Sequence, residues 1–188
     1  MTESEARERV LILIIDDDAA HRTITRISLE HAGFMVEEAE DGKQGLLAVK
    51  KTRPDLVLLD VMMPKFDGYN VCVELRRDPE FMNLPILMIT ALDDIESINR
   101  AFDAGATNIV TKPVNWTTLA FHVKYVLRAS QTAKELYRIK QLVKSALEEE
   151  LHKTKQLLAL ALEPAEVIDK KREIFSGSDL EPFMVDDS

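Results

Sequence analysis

Residues 10–18 read VLILIIDDD: six consecutive apolar residues, mostly β-branched or leucine, stopped by three aspartates. A short continuous apolar run of this kind is how a strand buried on both faces reads, and such strands belong to parallel sheets. Four similar runs follow at regular intervals: Phe34 to Glu38 after Gly33, Asp55 to Leu59 after Pro54, Ile86 to Thr90 after Pro85, and Thr107 to Val110 after Gly105. Stretches of helical length separate them. Ile24, Ile27 and Leu29 lead to Gly33; Leu46, Leu47 and Val49 lead to Arg53 and Pro54; Ile95, Ile98 and Phe102 lead to Gly105. Glycine at a helix end supplies the left-handed residue that stops it. Strands alternating with helices imply right-handed crossovers and an α/β, doubly wound parallel sheet of five strands.

The fifth helix begins near Asn115, and from Thr117 to about Leu162 no Gly or Pro interrupts it. Ala, Leu, Lys, Glu and Gln dominate, all strong helix formers, so one long helix is expected. Its apolar residues Leu136, Ile139, Val143, Leu147, Leu151, Leu158 and Leu162, with Thr154 in the same stripe, recur at a mean spacing of about 3.7, amphipathic without being a strict heptad. Such a stripe needs a partner surface. A division into a domain over 9–128, a helical extension over 129–162 and an acidic flexible tail over 163–188 follows.

The 188 residues carry 24 Lys and Arg against 33 Asp and Glu, a net charge of −9, which argues against nucleic acid or an anionic membrane held by bulk charge. The single cysteine, Cys72, allows no intramolecular disulfide and no cysteine-cluster zinc site. Residues 1–9 lack the apolar centre of a signal peptide, and no apolar run reaches the roughly 20 residues that span a bilayer, so a cytoplasmic protein is expected. Cys72 reads as a small buried hydrophobe, and the four histidines show no ligand spacing. His152, on the long helix, is read as part of its solvated surface.

Ligands and reacting groups in an open parallel sheet meet at the carboxyl ends of the strands. There the sequence places Asp16, Asp17 and Asp18 after strand one, Asp60 ending strand three, Thr90 ending strand four, and Lys112 with Pro113 after strand five. Asp18 is most simply the cap of the first helix. Carboxylates about 4 Å apart repel by a few kcal/mol per pair, which calls for Lys112 and a divalent cation as counterions. An oxygen-only ligand set suits a hard ion, magnesium ahead of zinc.

The strings ILIIDDDAAHR, RPDLVLLDVMMPKFDGYNV, PILMITAL and AGATNIVTKPV, in this order and spacing, resemble the receiver domain of two-component response regulators over about residues 9–128. The resemblance implies a flavodoxin-like sheet of order 2-1-3-4-5, with the fifth helix extended into a dimerising helix. It implies Asp60 as phosphoacceptor, Asp16, Asp17, Asp60 and the backbone carbonyl of Met62 as Mg2+ ligands, Thr90 bonding the phosphoryl group and Lys112 neutralising it. A cis peptide before Pro113 is expected on the same ground. A histidine kinase or phosphotransfer protein would be the donor and a protein the effector, with no direct nucleic-acid or membrane contact and no enzymatic activity beyond gain and loss of the chain's own phosphoryl group. A regulatory piece of a larger regulator, with a cyclic-dinucleotide enzyme or DNA-binding output beyond this chain, is the alternative.

Three positions make two departures from the family pattern. Ile109 stands at the usual aromatic switch position, and apolar Met62 and Leu92 stand where polar groups would place a hydrolytic water, so a long-lived phosphoryl group is expected. Hydrolases with an aspartate nucleophile need a second aspartate where Met62 stands. A flavin phosphate would meet acids after strand one.

Overall fold

The computed structural model of the chain describes residues 9–91 and 94–161, so Leu92, Leu162 and the expected tail over 163–188 lie outside the described residues. The chain divides into two units, with the division between Lys134 and Glu135.

In the first unit, five strands, β1 (Leu11–Ile15), β2 (Met35–Ala39), β3 (Leu56–Asp60), β4 (Ile86–Thr90) and β5 (Asn108–Thr111), form one parallel sheet of order β2-β1-β3-β4-β5. Four helices, α1 (Ala19–His31), α2 (Gly42–Thr52), α3 (Gly68–Arg77) and α4 (Ile95–Asp103), make the crossovers, and α5 (Trp116–Ala161) follows β5.

Successive strand residues point to opposite faces, and both faces are dry. On one side Leu13, Ile15, Val57, Leu59, Ile86 and Met88 pack with Val49 of α2, Val71 and Leu75 of α3 and Ala101 of α4. On the other, Ile12, Ile14, Leu56, Leu58, Leu87 and Ile89 pack with Leu29 of α1 and Leu119, Val123 and Val126 of α5. Each such large side chain contributes about 1.5–3 kcal/mol on leaving water. Cys72 is buried in α3, and burial pushes its thiol up to about 11.

The helix stops are those read from the sequence, with Gly33 and Gly105 at φ of 92° and 98°. Arg53, at φ 51°, takes the same left-handed role after α2 without a glycine. The apolar periodicity is less faithful. Leu29 and Thr25 face the sheet, whereas Ile24 and Ile27 stay exposed, as do Leu47, Ile95 and Phe102. A helix on a five-stranded sheet covers it with one narrow stripe, so apolar residues beyond that stripe meet solvent.

In the second unit, residues 135–161 are helical throughout, and Leu136, Ile139, Val143, Leu147, Leu151 and Leu158 are all exposed. His152 is exposed there too, with Nε2 2.9 Å from Gln156 Nε2.

Candidate functional site

Every crossover helix in the first unit starts at the carboxyl edge of the sheet with an aspartate cap: Asp18 for α1, Asp41 for α2, Asp67 for α3 and Asp94 for α4. Each carboxylate accepts backbone N–H groups that a helix start leaves free. Asp18 accepts from Ala20 and His21 at 2.8 and 3.1 Å, which holds its carboxyl below the usual range. The first turn of α5 is closed in the same way by Asn115, whose Oδ1 accepts from Thr117 at 3.1 Å.

Three more acids at this edge cap nothing. Asp16, Asp17 and Asp60 bring carboxylate oxygens within 4.8 Å of one another. Asp16 and Asp60 are buried, 5% and 3% exposed, while Asp17 is open to solvent. At 4.8 Å and an effective dielectric near 20, each charged pair repels by about 3–4 kcal/mol. Lys112 answers part of this: its Nζ lies 3.0 Å from Asp60 Oδ1 and 4.0 Å from Asp16 Oδ2. The peptide bond between Lys112 and Pro113 is cis, as expected. Lys112 meets Asp60 Oδ1 as an ion pair and not along a hydrogen-bond direction, so this buried oxygen has no aligned donor among the described residues. Burial raises the Asp16 carboxyl above its usual value and the charge of Asp60 adds to this, against the opposing pull of the Asp18 amide and Lys112.

Thr90, ending β4, is buried at the same edge, and its carbonyl accepts the Lys112 N–H at 2.7 Å. Met62 follows β3 in the loop before α3, its side chain exposed. Ile109, on β5, is half-buried against the core face that carries Leu59 and Met88.

A Mg2+ ion fits the donor set found here. Three hard carboxylates converge, two of them buried, with one lysine to balance them. A bound divalent cation would draw negative charge off the oxygens it touches and off a phosphoryl group beside them.

Sequence reading missed three participants. Gly68 opens α3 directly beneath the site, and any Cβ there would collide with the Asp60 carbonyl oxygen and press on Val61 Cα. The Asp67–Gly68 pair in the quoted string held that signal, since a cap followed by glycine marks a close backbone approach. Arg22 donates from Nη1 to the Asp16 carbonyl at 2.7 Å and fixes the end of β1, at a spacing of six residues that no helix period suggests. His21 puts Nδ1 3.9 Å from Asp16 and 3.8 Å from Asp18, with its ring 6.3 Å from that of Trp116. Only the meeting of α1 with the start of α5 makes that placement visible.

Comparisons with known proteins bear on the whole of this arrangement. The transcriptional regulator RpaA of a Synechocystis species, named as DNA-binding, is 44% identical over 117 residues, 62% of this chain and 48% of its own length. Response regulator MprA of Mycolicibacterium vanbaalenii is 42% identical over 119 residues, 63% of this chain and 51% of its own. The chain thus spans about half the length of the curated relatives it matches. Among solved structures, chemotaxis protein CheY4 of Vibrio cholerae superposes with a TM-score of 0.61 at 31% identity, covering 63% of this chain and 98% of its own. The receiver domain of a Syntrophus aciditrophicus histidine kinase gives 0.60 at 33%, covering 64% and 91%. The family model for the response regulator receiver domain matches residues 12–124, a span that runs from β1 into α5 and takes in every residue of the acidic site, and the chain belongs to that family.

Proposed function

We propose that Asp60 accepts a phosphoryl group from a histidine kinase or phosphotransfer protein, and that the chain signals by this modification. The observation that carries the reading is the buried Asp60 carboxylate, paired at 3.0 Å with Lys112 and grouped with two further acids that no helix start uses.

A carboxylate is a weak nucleophile toward a phosphorus centre, so the site must work by position and charge. Asp60 is held on the floor of the crevice by β3 and cannot swing away. As its oxygen bonds to phosphorus, the bond from phosphorus to the donor nitrogen breaks. Lys112 neutralises the transferred oxygens, and the Thr90 hydroxyl bonds one of them. Asp16, Asp17, Asp60 and the Met62 carbonyl would hold Mg2+. The product adds about −1.5 to −2 of charge to a buried rim, enough to draw Thr90 toward it.

The long helix is the proposed output. Residues 129–162 would pair with a second copy, since seven apolar or threonine positions from Leu136 to Leu158 stay open to solvent in the single chain. The organisation into a receiver over 9–128, that extension, and a tail over 163–188 belongs to the same reading, as does a cytoplasmic location; no described helix is long and apolar enough to cross a membrane. A second reading, that this is the regulatory part of a larger regulator, is favoured by the half-length match to its curated relatives, one of them named as DNA-binding. The expected absence of nucleic-acid contact gains no support from those relatives.

Intact mass and solution molar mass, taken before and after a small phosphodonor with Mg2+, test the proposal. One added phosphoryl group in the parent and none in Asp60→Ala is the expected result. No addition to the parent, with Mg2+ bound, would overturn it.

A further inference from the structure

We propose that the helix over residues 135–161 pairs with a second copy in parallel and in register, and that the charges on its two flanks set this orientation. The inference rests on the dimer reading above and adds a direction to it.

The exposed seam has two heptad-spaced stretches, Leu136, Ile139 and Val143 and then, fifteen residues on, Leu151, Thr154 and Leu158, with Leu147 between them. The mean spacing over the whole seam is about 3.7, so two such helices meet along a nearly straight or gently right-handed seam that is heptad-like at each end.

The flanks of this seam are not alike. At about 100° per residue, Lys140 and Lys155 stand roughly 70° to one side of the local seam centre, and Glu135 and Glu150 roughly 70° to the other. Lys144 lies farther out on the basic flank, where it is bridged within the helix to Glu148 at 3.8 Å. Among the described residues Glu135, Lys140 and Lys155 form no ion pair, and Glu150 shares Lys153, at 3.1 Å, with Glu149 at 2.9 Å.

Symmetry turns this segregation into a choice. In a parallel twofold pair the left flank of one helix faces the right flank of the other, so acid meets base, and within each heptad-spaced stretch a flank residue meets the one five positions later on its partner. Glu135 then faces Lys140 and Glu150 faces Lys155, each pair occurring twice. An antiparallel pair sets like flanks together, with acid against acid and base against base. The charges oppose that arrangement, while the apolar seam by itself tolerates both.

The full chain supplies the test. With Leu136→Cys, at one end of the seam, only a parallel in-register pair brings the two introduced thiols together across the axis, and mild oxidation should link them. The parent, whose one cysteine is buried, is the control. In sedimentation equilibrium Glu135→Lys should weaken the dimer by about three- to ten-fold, and adding Lys140→Glu should restore it, since each exposed pair is modest and occurs twice. Crosslinking together with charge-swap rescue supports the proposal. A dimer that links only when Leu136→Cys chains are mixed with Thr154→Cys or Leu158→Cys chains is antiparallel and overturns the orientation while leaving dimerisation intact. A chain that stays monomeric with and without the phosphodonor overturns the dimer reading and the orientation together.

Discussion

The floor of the crevice and its lip are built from the same residue type put to opposite uses. On the lip, Asp18, Asp41, Asp67 and Asp94 each accept amides at a helix start, and the contacts favour the charged form. On the floor, Asp16 and Asp60 are buried beside each other and beside Asp17, and burial disfavours the charge of Asp16. The lip acids therefore hold the fold together, while the floor acids strain it and wait for a counter-charge. An aspartate's role here is decided by what its oxygens meet.

The sharpest way to break this contrast is to remove the lysine on the floor. Lys112→Met keeps the bulk of the side chain and deletes the charge, and it should slow phosphorylation of Asp60 by about 10²- to 10³-fold, as loss of one preorganised charge partner does. Phosphorylation at the parent rate, followed by intact mass, would mean that the floor does not depend on Lys112.

The lip is tested next. Met62 presents an exposed apolar side chain there, and Met62→Asn should shorten the lifetime of the phosphoryl group several-fold by giving water a partner. An unchanged decay rate would remove Met62 from the account of a long-lived modification.

Stability should then move in opposite directions in the two places. Asp41→Ala or Asp67→Ala removes a cap and should cost about 1 kcal/mol in urea unfolding. Asp16→Asn keeps an oxygen for the Asp18 amide and removes a buried charge, so without metal it should stabilise the fold. Mg2+ should narrow that advantage, because it favours the parent's third carboxylate.

The smallest expected effect is in pH. Asp18 and Asp94 are held below the usual carboxylate range by amides of their own helices, so their contribution is present above the unfolded value and lost as pH falls through the folded one. Asp16 is shifted upward: its cost is present above its folded pKa and relieved as pH falls through that value. Unfolding curves between pH 7 and 3 should show the Asp16→Asn advantage fading first, with the Asp18→Ala deficit persisting to lower pH. The reverse order would exchange the roles assigned to the two acids.

Much of this was legible in one dimension because it depends on local grammar. Apolar runs with a β-branched bias become strands, an aspartate before a helix becomes its cap, and a glycine after one becomes its stop. Four strand ends carrying Asp16, Asp17, Asp60, Thr90 and Lys112 name the rim, because parallel topology sends every carboxyl end to the same edge. The expected limits of all five strands fall within one residue of those found. Less legible was the α1 stripe: Ile24 and Ile27 carry the helical period, yet Thr25 and Leu29 face the core. Periodicity gives the shape of a face, while the neighbouring sheet decides which face is covered.

The sequence by itself determined the elements, their order, their caps and which side chains could supply acid, hydroxyl and ammonium. The tertiary structure alone decided that Lys112 reaches Asp60 at 3.0 Å, that Asp16 is buried while Asp17 is not, and that Gly68 must lack a side chain where α3 passes under the Asp60 carbonyl. The physical reason is range. Caps and strand runs are settled by neighbours a few residues apart, whereas burial, charge pairing and close backbone approach depend on segments brought together across the sheet.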